Sequence, residues 1–172
     1  TAEDWAVIGA AHQEHFKKTP QTLMNMLRSL EDVSVGFASD QLQHSLMTGT
    51  LARRDGASDE EVAIALLHDI GKAVNIPNHG AIAAELMKPY VSDDAYHAIY
   101  YHQQFQGKYY FEFMGESPNL REKFKDESWV ELAVKLVDKW DAPAFDPDFE
   151  VDSLESFEPL LQDIFGQPKR ML

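Results

Sequence analysis

One stretch constrains the fold more than any other. Residues Val62, Ala63, Ile64, Ala65, Leu66 and Leu67 run together as an apolar block directly after Ser58-Asp59-Glu60-Glu61. The Ser58…Glu61 spacing is a capping box, in which a hydroxyl and a carboxylate each satisfy a backbone N–H that the first helical turn leaves without a partner. A helix that opens there and is apolar nearly all round has no face to offer water. Other elements must surround it.

The rest of the chain supplies helices to do so. Caps, breakers and apolar spacing predict a helix over residues 2–17, with Trp5, Ile8, His12 and His15 roughly on one side. A second runs over 19–30, with Thr19 as its cap, Pro20 at the first helical position and Leu23, Met26, Leu27 and Leu30 as its stripe. Asp40 caps a third over 41–54, which Gly56 closes. The apolar block is the fourth. Asn78 caps a fifth, 79–88, stopped by Pro89, and Ser92 caps a sixth, 93–104. A short helix follows Pro118, a longer one covers about 128–140 and ends in Asp141, and a last one, with Ser153 as its cap, covers 153–165. No alternating run flanked by hairpin turns stands out. The expected fold is all-α, in one domain of 172 residues.

The net charge of −14 repels nucleic acid and anionic membrane surfaces. No apolar run approaches the roughly 20 residues of a membrane span, and the first residues do not read as a signal peptide. Cytoplasm is the expected location, and a small molecule the expected partner. The chain has no cysteine, which excludes thiolate catalysis and thiolate metal sites.

The chemistry gathers at His68-Asp69, where the buried helix ends. A charged carboxylate there is costly without compensation, and the fourth helix offers no basic residue before Lys72. A metal ion removes the difficulty. His44 lies early in the preceding helix, and the short Gly56-Ala57 connection makes the two an antiparallel pair. His79 begins the next helix, and His102 lies near the end of the one after. Asp141 closes the long late helix. These helix ends can meet at one end of a bundle. Four imidazoles and two carboxylates suit two ions such as iron or manganese. His12, His15 and His97 lack converging partners and read as surface or satisfied core histidines.

With these residues in view, the chain resembles the HD-domain superfamily, whose signature is H…HD…D. His44, His68-Asp69 and Asp141 carry it, and residues 66–72, Leu-Leu-His-Asp-Ile-Gly-Lys, are similar to its signature stretch. The resemblance covers about residues 35–161 and implies an HD-type helical bundle. His79 and His102 match the subset that binds two metals, among them phosphohydrolases, cyclic-dinucleotide phosphodiesterases and mixed-valent diiron oxygenases. In that pattern Asp69 bridges the ions, His44, His68 and Asp141 complete one, and His79 and His102 complete the other.

Residues 41–46 and Lys139-Trp140-Asp141 are similar to the phosphonate-cleaving oxygenases. Those enzymes carry a tyrosine and a glutamate where this chain has Ser34 and Phe37, so their lid is absent or rebuilt here. Lysine at position 72 is shared with myo-inositol oxygenase and with the cyclic-dinucleotide phosphodiesterases, whose GYP signature the chain lacks. The resemblance implies a non-haem diiron (Fe2+/Fe3+) oxygenase that oxidises a small polar, hydroxylated or phosphonate-like substrate with dioxygen. The alternative is a metal-dependent phosphohydrolase of a phosphate ester or nucleotide, with Mn2+ or another divalent ion; an inert metal-binding module is a third reading.

Lys72 has two readings: a catalytic, substrate-binding cation three residues past Asp69, or a solvated lysine at a helix C-terminus. The aromatic segment after His102 likewise either walls a pocket, with Gln106, Lys108 and Tyr109 touching substrate, or simply packs.

Overall fold

A computed structural model describes residues 1–36 and 38–171. Among them there is no strand, and the helices form one HD-type bundle. Phe37, one of the two positions compared with the oxygenase lid, lies outside the described residues.

The centre is α4 (Asp59–Leu67), in which every residue from Val62 to Leu67 is buried. The Ser58–Glu61 capping box forms with both of its bonds. Around α4 stand α3 (Gln41–Arg54), α6 (Asp93–Gln106) and α8 (Glu158–Phe165), and α2 (Thr19–Ser29) packs on α3 and α8. Leu23, Leu27, Leu30, Leu161 and Phe165 close the same core. α3 and α4 pair as one helical hairpin, and α5 (His79–Met87) pairs with α6 as another. Among the described residues, no helix is long and apolar enough to cross a membrane.

Three of the expected caps form: Asp40 accepts from the Gln43 N–H, Ser58 from Glu61 and Ser92 from Ala95. Three do not. Thr19 is already helical, with Lys18 before it, and its hydroxyl pairs with the Tyr90 hydroxyl at 3.3 Å. Asn78 precedes α5 at φ −127° and ψ 27°, outside the extended region from which a side chain reaches back to the first turn. Ser153 makes no cap bond, and residues 154–157 form a 3-10 turn before α8. The first helix, α1 (Ala2–Phe16), is capped by Thr1, which sequence reading missed, and buries no residue. Trp5 stays 71% exposed, because two apolar residues among histidines are too small a stripe to anchor a helix.

The late helix also differs from expectation. α7 is α-helical only over Val130–Lys135, and Leu136–Asp141 widens into a π turn. The Ala142 N–H reaches the Val137 carbonyl, five residues back, at 2.8 Å. Such turns are rare and re-aim the side chains around them.

Candidate metal centre

The two hairpins and the π turn deliver their ends to one place. His44 lies in the first turn of α3 and His68 just past α4, so the antiparallel hairpin sets their Nε2 atoms 3.4 Å apart. His79 opens α5 and His102 lies near the end of α6, and their Nε2 atoms are 3.1 Å apart. Close backbone approach brings the halves together. A Cβ on Gly71 would collide with the His79 carbonyl, and one on Gly80 would come within 3.0 Å of the His102 ring.

Asp69 stands between the two pairs. Its Oδ2 lies 3.4 Å from Nε2 of both His44 and His68. Its Oδ1 lies 2.9 Å from His79 and 3.4 Å from His102. Asp141 adds Oδ1 to the first half, 3.2 Å from His44 and 3.5 Å from His68. The π turn places that carboxylate, and the Gln106 amide donates to its other oxygen. His68, Asp69, His102 and Asp141 are wholly buried, and His44 and His79 nearly so.

Each ring is locked by its far nitrogen. Nδ1 of His44, His68, His79 and His102 lies 2.9, 2.8, 2.7 and 2.6 Å from the carbonyls of Ala144, Ala65, Ile76 and Ile99. A carbonyl only accepts, so Nδ1 carries the hydrogen and the Nε2 lone pairs face one another. Lone pairs converging at such distances repel unless a cation lies among them. The oxygens tell the same story: Oδ1 of Asp69 and of Asp141 are buried without a hydrogen-bond donor. Four imidazole nitrogens and two carboxylates, two of whose oxygens lack donors, fit a pair of divalent metal ions.

Without metal the cluster must draw on protons. Burial alone would lower the His68 pKa, but Asp69 and Asp141 outweigh it and raise it to about 10. Burial opposes His44 too, and the hydrogen bonds its protonated ring donates to Asp141 and Asp69 still raise its pKa. For His102 burial prevails, and its pKa falls. Burial would raise both carboxyls, yet the charge of His68 and the surrounding hydrogen bonds hold Asp69 and Asp141 well below the ordinary range.

Lys72 is tied into the centre. Its ammonium donates to Asp69 Oδ2 and to Gln41 Oε1, each at 2.6 Å, and it lines the adjoining cavity. The sequence indicated proximity to Asp69 but not the Gln41 contact, which joins residues 31 apart. The cavity is about 740 Å3. Gln106 and Tyr109 line it, together with Val35, Ile76, Gln103, Tyr110, Met114 and Phe145. Lys108 is not among its lining residues; its ammonium lies 3.4 Å from Asp138. The Tyr109 hydroxyl also donates to Asp138, at 2.9 Å. Gln103 and Tyr110 belong to the segment that sequence reading offered as a wall, but it did not single them out; Tyr110 lies past α6, where no periodicity orients side chains. His12 and His15 are exposed on α1, and His97 stacks on Tyr101 and Trp129.

The family model for the HD domain matches residues 42–144, a span that contains all six donor residues. No curated protein compared with the chain matches it. The matched family and the buried donor set together support a metal-dependent enzyme. The match covers more than half of the chain, which belongs to the HD domain family.

Proposed function

We propose that this protein is a dinuclear non-haem iron oxygenase that oxidises a small polar substrate with dioxygen. His44, His68 and Asp141 would hold one ion, His79 and His102 the other, with Asp69 offering one oxygen to each. The observation that carries the choice of chemistry is the charge of the cavity wall. Lys72 is the one lysine or arginine among the described lining residues, and its ammonium already contacts Asp69. Much of the remaining wall is apolar or aromatic: Val35, Ile76, Tyr110, Met114 and Phe145. Beyond the metal ions, a phosphate ester or nucleotide carrying two or more charges would find no second lysine or arginine on the described wall to meet its remaining charge, and desolvating that charge would be costly. A neutral or singly charged substrate fits better.

When bound, the iron pair supplies a redox-active Lewis acid for substrate oxygen and dioxygen. The chain's own residues hold and orient. Backbone carbonyls fix the four imidazoles, Gln106 turns Asp141, and Lys72 keeps Asp69 ionised. Lys72 retains a third ammonium hydrogen for a substrate oxygen, because only two are engaged. Tyr110, Met114 and Phe145 limit the access of water.

The test is anaerobic loading with ferrous iron, partial oxidation, and electron paramagnetic resonance for a mixed-valent pair. Oxygen uptake is then followed with a panel of small hydroxylated and phosphonate compounds. Uptake with iron under air, and no turnover under nitrogen, is expected. Hydrolysis of phosphate esters with manganese at the same rate in the absence of oxygen would assign the centre to a phosphohydrolase instead.

A further inference from the structure

Most polar side chains on the cavity wall are already bonded to protein. Lys72 donates to Asp69 and Gln41, Gln106 to Asp141, and Tyr109 to Asp138. Two are different. Among the described residues, neither the Gln103 carboxamide nor the Tyr110 hydroxyl has a hydrogen-bond partner, although both residues are half-buried and line the cavity.

Their placement gives that freedom a direction. Gln103 follows the donor His102 on α6 and stands three residues before Gln106, so its side chain shares a helix face with the group that turns Asp141. Tyr110 follows the 3-10 turn Gly107–Tyr109 that leaves α6. Burial raises the pKa of its hydroxyl, and the nearby charges of Asp141 and Asp69 add to the effect, so the phenol keeps its proton. A carboxamide and a phenol each both donate and accept. A phosphate or carboxylate oxygen uses donors only, so the amide carbonyl would oppose it. A hydroxyl uses both kinds of partner.

We propose that Gln103 and Tyr110 are the substrate-reading pair of this cavity, selecting an uncharged hydroxyl-bearing group over a phosphonate, phosphate or carboxylate. The proposal rests on the reading of this cavity as the oxygenase substrate site, and it narrows the substrate to the hydroxylated class. Lys72 and the metals would meet one substrate oxygen, while Gln103 and Tyr110 read a second, neutral one. A site built to bond a hydroxyl discriminates against analogues without it, because its own polar groups are then left unpaired.

The experiment uses the full chain loaded with ferrous iron under nitrogen. Calorimetry measures binding of 1,2-propanediol and of methylphosphonate to the wild type, Tyr110→Phe and Gln103→Leu, with metal content determined on each preparation. The diol is expected to bind more tightly than methylphosphonate. Each variant should lose roughly three- to tenfold in diol affinity, the worth of one neutral hydrogen bond. Methylphosphonate affinity and the two metals per chain should not change. Diol affinity equal in all three proteins, no diol binding to the wild type, or tighter methylphosphonate binding would each overturn the proposal. Diol binding that weakens in the variants without oxygen uptake on admitting air supports the pair and counts against the oxygenase reading alone.

Discussion

Asp69 is wholly buried, with four imidazole nitrogens and one ammonium within 3.4 Å of its oxygens. A carboxylate so placed is stable only while cations surround it. Asp69→Ala is therefore expected to remove both metals, which elemental analysis would register. Lys72 is a different case, since a protonated ammonium cannot ligate. Lys72→Ala should keep two metals per chain and weaken substrate binding roughly tenfold to a hundredfold, the loss of one charge-assisted hydrogen bond. The contact with Asp69 adds a consequence. Removing the lysine should lower the melting temperature of the metal-free protein more than that of the loaded one, because metal ions compensate Asp69 in the latter. Lys72→Arg should rescue poorly, because a planar fork cannot point one donor at Asp69 and another at Gln41 as the ammonium does. If Lys72→Ala lost its metals, the lysine would be part of the metal-holding structure.

At the scale of elements, the side of the cavity that carries Tyr109, Tyr110 and Met114 depends on one arginine. Residues 107–124 include only short 3-10 turns, Gly107–Tyr109, Phe111–Met114 and Leu120–Phe124, which cannot hold a shape by themselves. Arg121 ties the segment down. Its guanidinium donates to the Phe105 carbonyl on α6 and through both terminal nitrogens to Asp138, one turn before Asp141. Arg121→Ala should cost about 1.5–3 kcal/mol. At roughly 2–4 °C per kcal/mol for a chain of this size, that is several degrees in a thermal melt. Burial would raise the Asp138 pKa, but hydrogen bonds from Arg121 and Tyr109 prevail and lower it. A lowered carboxyl pKa stabilises fully above the unfolded value of 3.8, and the contribution is lost as pH falls through the folded value. The stability gap between wild type and Asp138→Asn should therefore be full at neutral pH and close in acid below that range. A gap independent of pH would show that the carboxylate charge is not what holds the segment.

For the whole molecule, metal ions held at this cluster would be part of the fold. Four helices and the π turn meet through the donor cluster, so ions that bind the folded chain and not the unfolded one stabilise it. Chelation should lower the melting temperature by about 5–10 °C for each ion bound at a hundredfold excess over its dissociation constant. Protons are the competitors. His68, raised to about 10, is charged at neutral pH in the metal-free protein. Its contribution to the metal-free protein is complete below the unfolded value of 6.5 and is lost as pH rises through about 10. Metal uptake at pH 7 must displace that proton, so an unbuffered solution should acidify on titration with ferrous iron, and affinity should rise with pH. A pH-stat trace without proton release would contradict the shared use of Nε2 by protons and metals.

The all-helical class and the six donors were legible in the residues themselves. An apolar block bounded by a capping box can only be a central helix, and two short connections force hairpins whose ends carry His44, His68, His79 and His102. The caps at Asp40, Ser58 and Ser92 were also legible, because each needs only its own backbone and a donor three residues on. Where a partner lies far along the chain, local reading failed. Thr19 meets Tyr90 instead of capping its helix, and Gln41 takes up Lys72. The segment after His102 was offered by the sequence as a possible wall, with Gln106 and Tyr109 in it, but how its irregular part after α6 lies was decided by tertiary structure, since that part has no period and is positioned by Arg121 reaching back to Phe105 and forward to Asp138. The sequence by itself determined a central buried helix and the ring of metal donors at its end. Only the packing of distant segments decided which wall groups remain free to meet a substrate, because a hydrogen bond already made to a distant residue leaves no trace in the local pattern.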